Sequence, residues 1–173
     1  MAIVFEARSV LIGSTLVVLL PPEASEQLPS RGMCMAEGTL GEVRVVVPLE
    51  PDGRGGHWFD LGEALGSDLR AWSGLVSLEV TEAWPEPSFP PEFEDALRED
   101  SGAFETWRDT TSKARWDWLR WYRSTNNVQT KHGRLVKAMS MLGQGKRRPC
   151  CFDRARCTVP ELASSGKLKE PNG

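Results

Sequence analysis

Two hydrophobic patterns divide the chain. Up to residue 83, short runs rich in valine, leucine and isoleucine lie between glycine and proline turns, a pattern typical of β-strands. The predicted strands cover residues 3–12, 14–20, 33–36, 43–47, 57–61 and 75–80. Many short strands at this spacing favour a small barrel or sandwich.

The pattern changes at residue 84. The stretch WPEPSFPP at residues 84–91 predicts a stiff linker, because proline fixes φ and removes a backbone donor. Beyond it, apolar residues recur at helical spacing, and each run follows a residue suited to an N-cap. The candidate caps are Asp100 or Ser101, Thr111 or Ser112, and Asn126, which opens a helix that runs to Gly143.

These elements predict an α+β protein. A small β-barrel domain occupies residues 1–83, the linker residues 84–91, and a bundle of three or four helices residues 92–149. Residues 150–173 lack a clear pattern and are predicted to be an irregular C-terminal segment.

Charge is distributed unevenly along this chain of 173 residues, whose net charge is -3. Residues 1–100 hold 6 basic and 18 acidic side chains, whereas residues 101–173 hold 15 basic and 6 acidic ones. The split predicts two unlike parts, of which the acidic one could dock on the basic one or on a second copy of the chain. A homodimer is therefore one candidate assembly.

The longest apolar run, VLIGSTLVVLL at residues 10–20, is interpreted as a buried strand. At eleven residues it is too short to span a bilayer, and no basic segment precedes it as in a signal peptide. We therefore expect a cytoplasmic protein without membrane insertion.

The four cysteines are Cys34, Cys150, Cys151 and Cys157. Their spacing matches no zinc motif, and a core of this size needs no disulfides. We expect reduced thiols, and neither a metal nor a cofactor.

Aromatic residues are frequent in the third predicted helix, which begins at Thr111 or Ser112 and follows helices that begin at Pro91 and at Asp100 or Ser101. Trp118 and Trp121 fall on its apolar face, which favours core packing over ligand contact. Trp116 falls at the edge, near Lys113 and Arg120, where a large aromatic ring could contact a ligand or partner.

The fourth predicted helix has an apolar face and a basic one. Val128, Leu135, Met139 and Leu142 share a face with His132, which is interpreted as a hydrogen-bonded core histidine. Lys131, Arg134 and Lys137 lie off that face. They predict a solvated helix surface, a docking face for the acidic domain, or a site for a phosphate, carboxylate or nucleic acid.

The helical segment resembles the YdeI/OmpD-associated, or bacteriocin-protection, family. The resemblance rests on PPEFEDALRED at residues 90–100, on Trp107 and Trp118–Trp121, and on NNVQTKHGRLVKAMSMLGQGKRR at residues 126–148. Thr130 and Arg134 match the family's signature, but Gln129 replaces its usual acid and Lys131 its first arginine. The family implies a cytoplasmic accessory protein linked to tolerance of antimicrobial peptides.

Residues 5–80 resemble a β-barrel domain often fused in front of that family, through FEARSV, LLPPE, GHWFDLGEAL and WSGLVSLEV. This resemblance implies a double-split barrel, distantly similar to dimeric transcription regulators. The sequence holds no phosphate-binding loop, nucleophile elbow or zinc-protease motif.

We therefore predict a non-catalytic binding or stress-protection protein whose partner is an anionic or amphipathic small molecule or peptide. One alternative is a nucleic-acid-binding regulator. Another is an enzyme with an aromatic pocket between barrel and bundle, using Cys150, Cys151 or His57. The candidate ligand contacts are Trp116, Trp118, Trp121, Thr130, Lys131, Arg134, His57 and Trp58.

Overall fold

The computed structural model describes residues 1–173, which divide into two compact units. The sheet unit consists of Met1–Ala83, Arg154–Cys157 and Glu161–Gly173. The helical unit consists of Trp84–Asp153 and Thr158–Pro160. Each unit has its own hydrophobic core.

The sheet unit is built on one curled, seven-stranded antiparallel sheet with the strand order β1-β7-β4-β5-β6-β3-β2. The two edge strands are consecutive in the chain and separated only by Ser9, so the chain itself joins the two edges of the sheet. The strands are β1 (Ile3–Arg8), β2 (Val10–Ile12), β3 (Thr15–Leu19), β4 (Cys34–Leu40), β5 (Val43–Pro51), β6 (His57–Asp60) and β7 (Ser73–Val80).

The register of the sheet explains its core. In the ladder, Ala36 lies opposite Val47, and Leu40 opposite Val76, so these side chains share the inner face. Alternate positions such as Glu37, Glu79 and Val46 lie opposite one another on the outer face and are exposed. The buried core is mostly aliphatic and includes the fully buried ring of Phe59.

Two short helices cover parts of the sheet unit. Helix α1 (Pro22–Ser25) has proline at its first position, and α2 (Leu61–Leu65) is capped by the Asp60 carboxylate, which accepts a hydrogen bond from the Glu63 backbone N–H at 3.1 Å.

The C-terminal segment packs on the sheet unit through a hairpin of β8 (Ala163–Ser164) and β9 (Lys167–Leu168). The Leu168 N–H donates to the Asp52 carbonyl at 2.8 Å, and the Arg54 Nη1 donates to the Leu168 carbonyl at 2.7 Å. Gly53 has a φ of +81°, and a Cβ there would collide with the Gly166 carbonyl. Only glycine therefore fits this close backbone approach.

The helical unit contains α3 (Pro91–Glu99), α4 (Ser101–Arg108), α5 (Ser112–Arg123) and α6 (Val128–Gly143). Of the two cap candidates predicted for each helix, Asp100 caps α4 and Thr111 caps α5, by accepting from the Ala103 and Ala114 N–H groups. The cap of α6 is Asn127 rather than the predicted Asn126. Its side chain satisfies the Thr130 N–H, an otherwise orphaned donor of the first turn.

Aromatic rings fill the core of the helical unit. Phe93 stacks on Phe89 with ring centroids 4.5 Å apart and meets the edge of Tyr122 at 5.4 Å. Ala103 on α4 and Ala138 on α6 are both buried in this core, and helices α4 and α6 pack against each other. Small side chains permit such helices to approach closely.

The α+β class is confirmed, with an N-terminal curled antiparallel sheet and six helices. The helices are each too short or too polar to cross a lipid bilayer. The prediction that His132 lies in the core is wrong, since its side chain is exposed. The buried face of α6 is centred on Ala138 and Leu142, which turns His132 and Val128 towards solvent.

Candidate functional site

Trp118 is a core residue of the helical unit. Its side chain is 0% exposed, and its indole N–H donates to the Arg147 carbonyl at 2.9 Å. Its ring meets the edge of Trp121 with centroids 6.0 Å apart. Trp118 therefore attaches the segment after α6 to helix α5, and a ligand could reach it only if the unit opened.

Trp121 and Arg134 form a cap at the C-terminal end of α5. The Arg134 Nη1 donates to the Trp121 carbonyl at 2.9 Å and to the Ser124 Oγ at 2.6 Å, while its guanidinium lies 5.8 Å from the Trp121 ring. The last carbonyls of a helix lack intrahelical donors, and a cation near them is favourable. Arg134 thus stabilises the junction of α5 and α6.

Trp116 holds the proline-rich segment against α5. Its side chain is half-buried, and its indole N–H donates to the Pro85 carbonyl at 2.7 Å. The neighbouring Arg115 forms an ion pair with Glu86 at 2.8 Å and donates to the Trp107 carbonyl at 2.8 Å. Because proline removes donors from this segment, side chains of α5 supply its hydrogen bonds.

Thr130 and Lys131 lie in the first turn of α6. The exposed Thr130 donates through both its N–H and its hydroxyl to the Asn127 Oδ1, at 2.9 and 3.2 Å. The Lys131 ammonium lies 6.0 Å from the ring of Tyr122, which supports a weak cation–π contact.

The Tyr122 hydroxyl donates to the Glu92 Oε1 at 3.1 Å and so connects α5 with α3. Burial raises the pKa of Tyr122 to about 12, and the hydrogen bond to the Glu92 carboxylate and its negative charge add to the effect. The phenol is therefore neutral at physiological pH and serves as a donor rather than a base.

His57 and Trp58 belong to the sheet unit, whereas the other six candidate residues belong to the helical unit. Both are buried. His57 lies between two partners: the Ser25 hydroxyl at 2.6 Å from Nδ1 and the Gly32 carbonyl at 2.9 Å from Nε2. A carbonyl only accepts, so Nε2 carries the proton and Nδ1 accepts from Ser25. His57 thus joins α1 to the sheet.

The accessible residues of α6 form a different surface from the one predicted. We define the α6 outer face as Val128, His132, Val136 and Lys137, all of which are exposed. The side chains of Val128 and Val136 are 80% and 58% exposed. Helix α6 carries three basic residues and no acidic one. The face therefore combines apolar and cationic groups.

Sequence reasoning missed this surface because it assigned Val128 and His132 to the core. The available signal was an alternative apolar stripe that keeps Leu135 and Leu142 and adds Ala138 in place of Val128, at a spacing of three and four residues. Alanine carries little weight in a hydrophobic pattern, so the stripe that is buried looked weaker than its competitor.

The sheet unit contains a cavity of about 620 Å³ between β2, β3 and α2, a volume within the range of small-molecule sites. Its wall mixes leucines with hydroxyl and charged groups, among them Leu11, Thr15, Asp60, Glu63 and Arg70. None of the residues that line it was predicted as a ligand contact.

No curated protein and no solved structure matches the chain. Residues 86–145, which include α3 to α6, match the model of a protein family described as Bacteriocin-protection, YdeI or OmpD-Associated. The predicted resemblance of residues 5–80 to a domain fused in front of that family stays a prediction. The helical unit is thus similar to the bacteriocin-protection, YdeI or OmpD-associated family over residues 86–145.

Proposed function

We propose that this protein is a non-catalytic accessory protein of the bacteriocin-protection type, active in the cytoplasm in stress protection and tolerance of antimicrobial peptides. The family match over α3 to α6 supports this class. In the same proposal, the sheet is a double-split barrel and the four longer helices form a bundle.

The helical unit would bind an anionic, amphipathic partner at the α6 outer face. The observation that carries this proposal is the exposure of Val128 and Val136 on a helix that has only basic charges. Covering exposed apolar side chains lowers the free energy of the complex, because apolar surface is removed from water. Neighbouring cations attract a partner that is negatively charged. Exposed Lys146 and Arg147 extend the basic character beyond the helix.

This proposal moves the binding site away from the residues first expected to form it. Trp118 is buried, Trp116 donates to Pro85, and Arg134 donates to the end of α5. These contacts give the three side chains structural roles. In this proposal, Thr130 and Lys131 are secondary contacts, because they lie in the first turn of α6, near Val128 of the α6 outer face.

The proposal is tested by titrating the full chain with a synthetic helical peptide that carries leucine on one face and glutamate on the other. Calorimetry should show binding that weakens about tenfold in Val136→Asp, because a buried carboxylate replaces apolar contact. The matched control is Val46→Asp, since Val46 is 51% exposed but lies in the sheet unit. Equal affinity in the wild type and Val136→Asp, or no binding, would reject this surface.

Nucleic acid is the competing partner, favoured by the positive charge of α5, α6 and the residues after them. Residues 112–153 hold 10 basic and 2 acidic side chains. A gel shift with duplex DNA separates the two ideas: DNA affinity that falls steeply with added salt would replace the peptide proposal.

In a sensitive bacterium, expression of the wild type should raise survival in the presence of an antimicrobial peptide, and Val136→Asp should reduce that protection.

A further inference from the structure

Cys150 and Cys151 form an exposed pair of thiols in the segment that follows α6. Their Sγ atoms lie 3.3 Å apart. The other two cysteines, Cys34 and Cys157, are buried. Two adjacent thiols that both face solvent can act together on a single reagent.

The backbone explains why the two thiols lie on one side of the chain. Adjacent side chains of an extended backbone point in opposite directions. Cys151 has a φ of 59°, in the left-handed region that a residue other than glycine seldom adopts. The resulting turn brings the Cys151 sulfur next to that of Cys150.

A disulfide between them would be strained. Adjacent Cα atoms are about 3.8 Å apart, whereas disulfides usually join Cα atoms at least about 4.4 Å apart. A single atom bound to both sulfurs avoids this strain, because it bridges the gap without a direct sulfur–sulfur bond.

The sulfur separation favours one bonding geometry for that atom. A tetrahedral zinc ion with Zn–S bonds of about 2.3 Å needs sulfurs about 3.8 Å apart and further ligands. No group of three or more histidine, cysteine or acidic side chains in residues 1–173 is arranged to supply them. Two bonds of about 2.3 Å that meet at about 90° span about 3.3 Å, as observed for this pair. Trivalent arsenic is soft, binds sulfur at a similar bond length, and has angles near 90° because of its lone pair.

We propose that Cys150 and Cys151 are a binding site for trivalent arsenicals, which they chelate through both sulfurs. With an organic arsenoxide, two arsenic–sulfur bonds replace the arsenic–oxygen double bond. The oxygen leaves as water with the two thiol protons, and arsenic stays trivalent, so no oxidant or reductant is consumed.

The test treats the reduced full-length protein with one equivalent of phenylarsine oxide and then with a large excess of a monothiol. Intact mass spectrometry should show one phenylarsine group with loss of two thiol protons, and the adduct should persist until a dithiol competitor is added. In Cys150→Ser and in Cys151→Ser, adduct retention should fall at least about tenfold, because a single sulfur cannot chelate. Cys34→Ala is the control that retains it.

Tryptic mapping gives a second readout that needs no variant. Cleavage after Arg147 and Arg154 yields a peptide whose only cysteines are Cys150 and Cys151. The adduct should lie on this peptide. An adduct on Cys34 or Cys157, an adduct that a monothiol removes from the wild type, or equal retention in Cys150→Ser would overturn the proposal.

Discussion

The two units use polar side chains in different ways. In the sheet unit, whose core is aliphatic, buried His57 and Ser25 form a hydrogen bond with each other, and His57 also bonds the Gly32 carbonyl. In the helical unit, cations lie on aromatic rings, as Arg115 does on Trp107 and Arg134 on Trp121. Basic residues interleaved with aromatic ones therefore need not form a ligand surface, because the rings themselves can engage the cations.

The distribution of charge between the two structural units differs from its distribution along the sequence. The sheet unit holds 9 basic and 14 acidic side chains, and the helical unit 12 basic and 10 acidic ones. The difference in charge between the two units is smaller than the difference between residues 1–100 and 101–173. The acidic helix α3 belongs to the helical unit, whereas Arg154, Arg156 and the basic residues of the last hairpin belong to the sheet unit. Acidic and basic side chains are therefore separated within the helical unit, with acidic ones predominating on α3 and basic ones on α6.

The largest expected effect separates the aromatic core of the helical unit from the edge of that unit. Trp118→Ala should lower the free energy of unfolding of the helical unit by about 3–5 kcal/mol, because a fully buried ring leaves a cavity and the Arg147 carbonyl loses its donor. Denaturant unfolding followed by near-ultraviolet circular dichroism measures it. Trp116→Ala is the control and should cost less, since Trp116 is only half-buried. Equal losses would remove the distinction between core and edge.

The second expected effect is a loss of stability at high pH through Tyr122, the only tyrosine in the chain. Its pKa rises from 10.0 to about 12 on folding, so the neutral phenol stabilises the fold below pH 10, and this stability is lost as the pH rises through 12. The free energy of unfolding should fall by about 2–3 kcal/mol across that interval.

Phenolate absorbance reports the titration of Tyr122 directly, because no other tyrosine contributes. In Glu92→Gln the pKa of Tyr122 should move back towards its ordinary value, since the carboxylate that accepts its hydrogen bond is removed. An unchanged titration in this variant would mean that Glu92 has no part in the raised pKa.

A smaller effect tests the polar contacts of the sheet unit. Ser25→Ala should lower the free energy of unfolding by about 1–2 kcal/mol, because Nδ1 of the buried His57 loses its donor. Exposed Ser14 provides the matched control, and Ser14→Ala should leave stability nearly unchanged. Thermal unfolding of both variants measures the difference; equal melting temperatures would show that the buried contact adds nothing.

The smallest effect concerns the cap on α5. Arg134→Lys keeps the charge but loses the planar guanidinium that donates to Trp121 and Ser124, and it should cost about 1 kcal/mol. Lys137→Arg, on the exposed side of the same helix, should be neutral. A neutral Arg134→Lys would show that charge alone stabilises the helix end.

The sequence was sufficient for elements with local signals. Asp100 and Thr111 begin helices because their side chains reach the N–H group three residues on, which needs no tertiary contact. The face of α6 depends instead on its neighbours: α6 packs against α3, α4 and α5, and in that packing Ala138 is buried while His132 is exposed. The roles of Trp116 and Arg134 also required the fold, because their partners lie 31 and 13 residues away.

The contact of Asn172 with the Gly13 turn has a consequence for biosynthesis. Asn172 donates to the Gly13 carbonyl and accepts from the Gly13 N–H, so two ends of the chain 159 residues apart meet in one unit. During translation, the strands of the sheet emerge first, yet their last partners leave the ribosome only after every helix has been made. Helices α3 to α6 can thus fold while the sheet unit still lacks residues Glu161–Gly173.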